Sequence, residues 1–331
     1  MGLLLGALML KYKQSNAFGG QMKPIISIIT PVYNEHECLP TFFKRVIPIM
    51  EEIGLPFEII AVNDGSKDDS AEILKAQCEK DKRCKAINFS RNFGQQAAFL
   101  CGLKNSSGDC AILVDADLQD PPEVFPALIE KWKEGYDVVH GIRRVRKGES
   151  FFKKRTSSFF IKLLTKSSGL DIPANSGEFK LYDRKVIDAI CALPERSRYL
   201  RVQIAWVGFK QTTVEYDREE RKEGNTKFTL KKMLKTAEAG IVPYSPKVLK
   251  LSGKIGFIGA ILSVLAFVAF IVLACLGYAL PLTAWLFPTI ALATSIILIS
   301  NGITDLYMSY LYEDVKGRPI YIERDKINFE E

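Results

Sequence analysis

The chain has 331 residues, 47% of them hydrophobic, with a net charge of +7, seven cysteines and two histidines. His36 and His140 are too few for a His-rich zinc centre or a Ser-His-Asp hydrolase, and the odd, CxxC-free set Cys38, Cys78, Cys84, Cys101, Cys110, Cys191 and Cys275 reads as reduced thiols in a cytosolic compartment. Basic residues are massed just before a long uncharged stretch, which favours an anionic lipid surface or a phosphate-bearing lipid over nucleic acid as partner.

Residues 1–21 read as an N-terminal extension outside the fold. The apolar run Gly2–Leu10 is too short to span a bilayer and has no basic segment before it. A Met-Gly start suggests myristoylation, but Gly6 stands where Ser or Thr is needed. Met22 then precedes the first strand directly.

From there short β-branched runs alternate with amphipathic stretches. Ile25–Thr30, Phe57–Val62, Lys85–Ser90 and Cys110–Val114 read as buried strands, separated by helical patterns at Glu37–Ile53, Asp68–Lys80, Gln95–Asn105 and Pro122–Glu134. Such alternation implies an α/β domain with a largely parallel sheet, and places ligands beyond the carboxyl ends of the strands. All four ends are polar: Pro31, Tyr33, Asn34 and Glu35; Asn63, Asp64, Gly65 and Ser66; Arg91, Asn92, Gly94 and Gln95; Asp115 to Asp120. Neither GxGxxG nor GxxxxGK[ST] follows a strand, so a dinucleotide fold and a P-loop are not supported. Asp115 and Asp117, two apart on extended backbone, point the same way and offer two carboxylates to one Mg²⁺ or Mn²⁺, with Gln119 adding a neutral oxygen. A cation there suits a diphosphate leaving group.

Farther on, Arg143, Arg144, Arg146, Lys147, Lys153, Lys154 and Arg155 form a basic run that is either a solvated face or a phosphate site. Lys227, Lys231, Lys232, Lys235, Lys247, Lys250 and Lys254 then face one acid, Glu238, on the approach to a fifty-residue stretch, Ile255–Thr304, without a charged side chain. As one helix it would be about 75 Å long, far beyond the ~30 Å hydrocarbon core, so two spans are expected, turning near Gly277, Tyr278, Pro281 and Trp285. Lys316, Arg318, Arg324 and Lys326 follow. Positive flanks put both ends and the catalytic part on the cytoplasmic side of the cell (inner) membrane. The expected division is 22–228 catalytic domain, 229–250 amphipathic juxtamembrane region, 251–312 two-helix hairpin and 313–331 cytoplasmic tail.

The segments PVYNE (Pro31–Glu35), VNDGSKD (Val62–Asp68), SRNFGQQAAFLCGL (Ser90–Leu103) and DADLQDPPE (Asp115–Glu123) resemble family 2 glycosyltransferases of GT-A fold, specifically those acting on polyisoprenyl phosphates. The resemblance runs from about Pro24 to the C-terminus and is similar to bacterial undecaprenyl-phosphate glucosyltransferases and, more distantly, to dolichyl-phosphate mannosyltransferase. It implies a Rossmann-like GT-A domain followed by two transmembrane helices, and inverting transfer of a hexose from a nucleotide sugar, UDP-hexose or GDP-mannose, to a polyprenyl phosphate. By the same resemblance Pro31, Tyr33 and Glu35 cradle the nucleoside, Asp64 holds the base or ribose, and Asp115, Ala116, Asp117 and Gln119 form the metal and donor-phosphate site. Arg143, Arg155 and Ser158 would receive the lipid phosphate, and Arg221 with Lys227 would close on the donor. The family's Gly-Asp-Phe-basic-Leu segment stands here as Gly177, Glu178, Phe179, Lys180 and Leu181, so Glu178 takes the place of an acceptor-facing aspartate with its carboxylate moved by about one methylene. A homo-oligomer is compatible with the resemblance.

Two other readings compete. A processive polysaccharide synthase would carry QxxRW, whereas Gln203-Ile204-Ala205-Trp206 lacks the arginine, and two spans are too few for a polymer channel. An inactive membrane scaffold would have no need of Asp115 and Asp117.

Overall fold

The structure, a computed structural model, describes residues 25–144, 170, 173, 176–196, 199–218, 246–276 and 281–329. The N-terminal extension, most of the juxtamembrane region and the expected site residues Arg155, Ser158, Arg221 and Lys227 lie outside the described residues.

The chain alternates as expected through β1 (Ile26–Val32), α1 (Leu39–Ile53), β2 (Phe57–Asn63), α2 (Ser70–Lys80), β3 (Cys84–Phe89), α3 (Gln95–Asn105), β4 (Cys110–Leu113) and α4 (Phe125–Lys133). It continues through β5 (Val138–Arg143), β6 (Ser176–Asp183), α5 (Arg184–Ala192), α6 (Leu200–Val207), β7 (Gln211–Tyr216), α7 (Pro246–Cys275), α8 (Leu282–Val315) and β8 (Glu323–Ile327). One eight-stranded sheet has the order β7-β5-β6-β4-β1-β2-β3-β8. The pairs β1–β2, β1–β4, β2–β3 and β5–β7 are parallel, and β6 and β8 run antiparallel to their neighbours.

Central strands of a sheet covered on both faces must be apolar on both faces. Accordingly β2 is buried from end to end, Glu58 and Asn63 included, and β1 is buried except at Pro31. The two faces carry separate cores. Phe42, Val46 and Met50 of α1 join Ile28 and Ile59 on one face, and Phe99, Leu103 and Ile187 join Ile29 and Ile60 on the other. A buried Glu58 needs partners. Lys85 Nζ lies 2.8 Å from it, and Ser27 Oγ and the Ser107 N–H donate to it at 2.6 and 2.7 Å.

Residues 313–331, read from sequence as a tail, contain β8, which pairs with β3. The reason is an edge: without β8 the backbone of β3 would present unpaired N–H and C=O groups to solvent.

The helices α7 and α8 pack against each other, and Gly259 of α7 lies where an added Cβ would collide with the Ile296 side chain. Phe257, Val264, Leu265 and Phe267 of α7 point outward, an apolar surface that a domain core does not leave open. Two spans were expected; among the described residues one stretch, Gly256–Leu273, is long and apolar enough to cross a membrane. The second expected span falls within α8.

Candidate active site

Four strand ends converge. Beyond β1, Tyr33 stands at the surface and Asn34 adopts φ 54°, a left-handed conformation that asparagine tolerates better than most residues. Asn34 then fastens the first loop to the second: its N–H donates to Ser66 Oγ at 3.0 Å, and its Oδ1 accepts from the Lys67 N–H at 2.8 Å. The Glu35 N–H donates to Ser70 Oγ at 3.1 Å.

Asp64 fastens the second loop to the third. Its buried carboxylate accepts from the N–H groups of Phe93 at 2.6 Å and Gly94 at 2.9 Å. Burial raises its pKa even so. Gly65, at φ 66°, lets the two loops touch, because a Cβ there would lie 2.5 Å from the carbonyl carbon of Arg91.

Beyond β4 the strand continues with the Val114 N–H donating to Ile29 O at 3.0 Å. Ala116 is buried while Asp115 and Asp117 are partly open, but β4 ends at Leu113 and the chain turns at Ala116 and Asp117, so the two acids are not on the continuous extended backbone expected from the sequence. Leu118 then takes φ 55°, which costs a residue with a side chain about 1–2 kcal/mol. Backbone strain of that kind concentrates at functional sites. The turn lets the Gln119 N–H donate to Asp117 Oδ1 at 3.2 Å, and Gln95 Nε2 donates to Asp115 Oδ1 at 2.7 Å.

Together Pro31, Tyr33, Glu35, Asp64, Asp115, Ala116 and Asp117 line one open cleft of ≈ 250 Å³, with Val32, Asn92, Gly94 and Gln95 completing its wall. The cleft is crowded with negative charge. Burial, then the neighbouring Asp117 and Asp120, push Asp115 up to about 7, with Arg143 working in the other direction.

Residues 27–191 match the sequence profile of Glycosyl transferase family 2. Glycosyltransferase YkcC of Bacillus subtilis is 43% identical over 92% of this chain and 94% of its own. The SfII prophage-derived bactoprenol glucosyl transferase of Shigella flexneri is 38% identical over 90% of this chain and 96% of its own. The chain is a family 2 glycosyltransferase. Among solved structures, glucosyl-3-phosphoglycerate synthase from Mycobacterium tuberculosis, bound to Mn²⁺, UDP and glucosyl-3-phosphoglycerate, aligns at 18% identity with a TM-score of 0.48, over 66% of this chain and 78% of that one.

In this glycosyltransferase the sheet is of GT-A type, and of the remaining expected residues Arg143, Glu178 and Gln119 are among those described. Arg143, at the end of β5, is tied down: Nη2 lies 3.1 Å from Asp120 Oδ2, and Nε donates to the Tyr216 hydroxyl at 3.2 Å. The same hydroxyl donates to Asp120 Oδ1. Gly177 makes room, since a Cβ there would come within 2.8 Å of Arg143 Nη2. Glu178 is not in the cleft wall. Its carboxylate is largely buried, 3.9 Å from Lys180 Nζ and 3.9 Å from Arg201 Nη2. Gln119 is also outside the wall, reached from Asp117 through its backbone.

Asn92, Gly94 and Gln95 belong to the cleft but not to the expected site. Their position after β3 was the available signal, since they end the third of four strands whose other ends were chosen. Asp120 stands at the fourth strand end by the same signal, but its role does not show there: its partners Arg143 and Tyr216 are 23 and 96 residues away in the chain.

Proposed function

We propose that this glycosyltransferase carries a hexose, glucose in the first instance, from a nucleotide sugar to polyprenyl (undecaprenyl) phosphate at the cytoplasmic face of a membrane, with inversion at the sugar. One observation carries the reading: an acid-lined cleft at the ends of four strands occurs in the same chain as a helical stretch, Gly256–Leu273, that is long and apolar enough to cross a membrane and exposes large apolar side chains. The Shigella flexneri relative, a bactoprenol glucosyl transferase by name, supports a lipid acceptor.

The residues fit a divalent cation. Asp115 and Asp117 present hard, partly buried oxygens whose mutual repulsion a cation relieves, so Mg²⁺ or Mn²⁺ would be held by these two with Gln119. Among the described residues no three His, Cys, Asp or Glu side chains form a ready-made cage, so a cation held by this pair would need further oxygens, such as those of a diphosphate. Bound there, the cation would neutralise charge growing on the departing diphosphate.

The chemistry is a direct displacement. A lipid phosphate oxygen forms a bond to the anomeric carbon, and the bond from that carbon to the diphosphate oxygen breaks, its electron pair leaving with the nucleoside diphosphate. The attacking phosphate is already anionic near neutral pH, so no strong base is required and Glu178, set between two cations, serves to position. Tyr33, Glu35 and Asp64 hold the nucleoside in this reading, and Arg143 with Arg155 and Ser158 faces the acceptor phosphate. Arg221 and Lys227 close over the donor.

In the same reading residues 22–228 form the catalytic domain and 229–250 lie on the membrane. Residues 251–312, carried by α7 and α8, cross the membrane as a two-span hairpin, with both chain ends cytoplasmic. Purified full-length protein incubated with Mg²⁺ or Mn²⁺, undecaprenyl phosphate and either UDP-glucose or GDP-mannose should yield a lipid-phosphate hexose detectable by mass spectrometry. Product from GDP-mannose alone would reassign the donor. No lipid-linked sugar from any common nucleotide sugar would refute the proposal.

A further inference from the structure

The segment leaving α8 does more than cover an edge. Its strand β8 places Asp325 opposite Asn88 of β3, and Asn88 stands opposite Asn63 of β2, so three polar side chains share one rung across three strands. They are joined in series. Asn88 Nδ2 donates to Asp325 Oδ1, Asn63 Nδ2 donates to Asn88 Oδ1 at 2.9 Å, and Asn63 Oδ1 accepts from the Ser66 N–H at 3.0 Å. Ser66 Oγ in turn accepts from the Asn34 N–H, between the cleft residues Tyr33 and Glu35. Asn63 and Asn88 are both buried, so an error in the series would leave an unpaired polar group out of water.

The polarity of this series has one source. An ionised carboxylate only accepts, so Asp325 compels Asn88 to offer its amide NH₂ and leaves the Asn88 oxygen for Asn63. Asn63 must then donate as well, which turns its own oxygen toward the Ser66 N–H. Flip either amide and two donors or two acceptors meet. The second carboxylate oxygen of Asp325 is held by Arg324 Nε at 2.8 Å, which favours the charged form.

We infer that Asp325, Asn88 and Asn63 are positioning residues for nucleotide-sugar binding, a hydrogen-bond relay by which the strand following the membrane helix fixes the loops that carry Tyr33, Glu35 and Asp64. The inference rests on the reading of this cleft as the donor site. Its link to the membrane is short: residues 316–322 alone separate α8 from β8.

The test compares three variants of the full-length protein. Asp325→Asn keeps size but loses the acceptor-only constraint, Asn88→Ala removes the middle member, and Asn328→Ala is the control. Asn328 straps the end of β8 to Cys78 O and Cys84 O, away from the relay. Wild type is titrated with UDP-glucose and with GDP-mannose in the presence of Mn²⁺, and the nucleotide it binds is used for the variants. Asp325→Asn and Asn88→Ala should weaken binding and raise KM about five- to tenfold with kcat little changed, and should speed hydrogen exchange at the Ser66 amide. Asn328→Ala should lower the melting temperature while leaving affinity and Ser66 exchange as in wild type. Wild-type affinity and exchange in both relay variants would overturn the inference, as would equal losses in Asn328→Ala. Wild type that binds neither nucleotide would overturn the donor reading and the relay with it.

Discussion

On the side of β1, β2 and β3 the loops under the cleft are held mainly by neutral groups: Asn34 to Ser66, Ser66 to Asn63, Asn63 to Asn88, with backbone N–H groups closing on Asp64. On the side of β5, β6 and β7 the supports are charged: Asp120 with Arg143 and Tyr216, Glu178 between Lys180 and Arg201. The difference follows from what each side must leave open. A wall held by amides and hydroxyls engages the Asp115–Asp117 pair through the neutral Gln95 amide, which donates to Asp115, so the charge of the pair stays available to a ligand. A wall held by buried ion pairs places its cations beside those carboxylates without surrendering them to solvent, and it tolerates the loss of a partner poorly.

The comparison is broken most decisively at the acids. Asp117→Asn keeps the shape of the turn but halves the formal charge of the pair. If this wall supplies charge to the reaction and not merely structure, transfer should fall by about 10²- to 10³-fold with the melting temperature near wild type. A loss of both together would mean that Asp117 holds the turn and does not supply charge to the reaction.

The neutral wall was the more legible of the two. β1 and β2 read as strands because short β-branched runs, broken only at Ser27 and Glu58, suit burial on both faces, and their polar ends stand out against those runs. The charged wall depends on partners far apart in sequence, so nothing local marks Asp120 as the acid that holds Arg143. β8 was hidden for a different reason. Its residues Glu323, Arg324, Asp325 and Lys326 are the composition of a solvated tail, yet an edge strand needs only backbone groups to pair, and charged side chains suit it there.

The charged wall is tested next by removing one partner. Asp120→Ala leaves the Arg143 guanidinium, about one-third exposed, without its counter-charge and costs Tyr216 its acceptor. Unfolding in urea should show a loss of about 3 kcal/mol, whereas Tyr216→Phe, which removes one hydroxyl and leaves the ion pair, should cost about 1 kcal/mol. Equal effects would mean that the hydroxyl, not the charge, anchors this side.

A smaller effect than the loss of Asp120 separates the two walls by pH. His140 on β5 is buried against Lys180, and its ring Nε2 lies 2.7 Å from Gln211 Oε1. Burial, reinforced by the Lys180 charge, pushes its pKa down from 6.5 to about 4. The folded protein therefore keeps His140 neutral at pH values where the unfolded chain has already protonated it. Between about 4 and 6.5 the unfolded state binds the extra proton, so stability rises with pH across that window and falls as the solution is acidified through it. From pH 7 down to pH 5 this one group should remove about 2 kcal/mol. In His140→Asn, which can still reach toward Gln211 but does not titrate, that part of the slope should vanish, even if the variant is less stable at pH 7. The neutral wall contributes no histidine of this kind, so Asn88→Ala should shift the whole stability curve and leave its slope between pH 5 and pH 7 unchanged. A slope that survives in His140→Asn would assign the acid sensitivity to carboxylates instead, and the charged wall would then be no more pH-dependent than its neighbour.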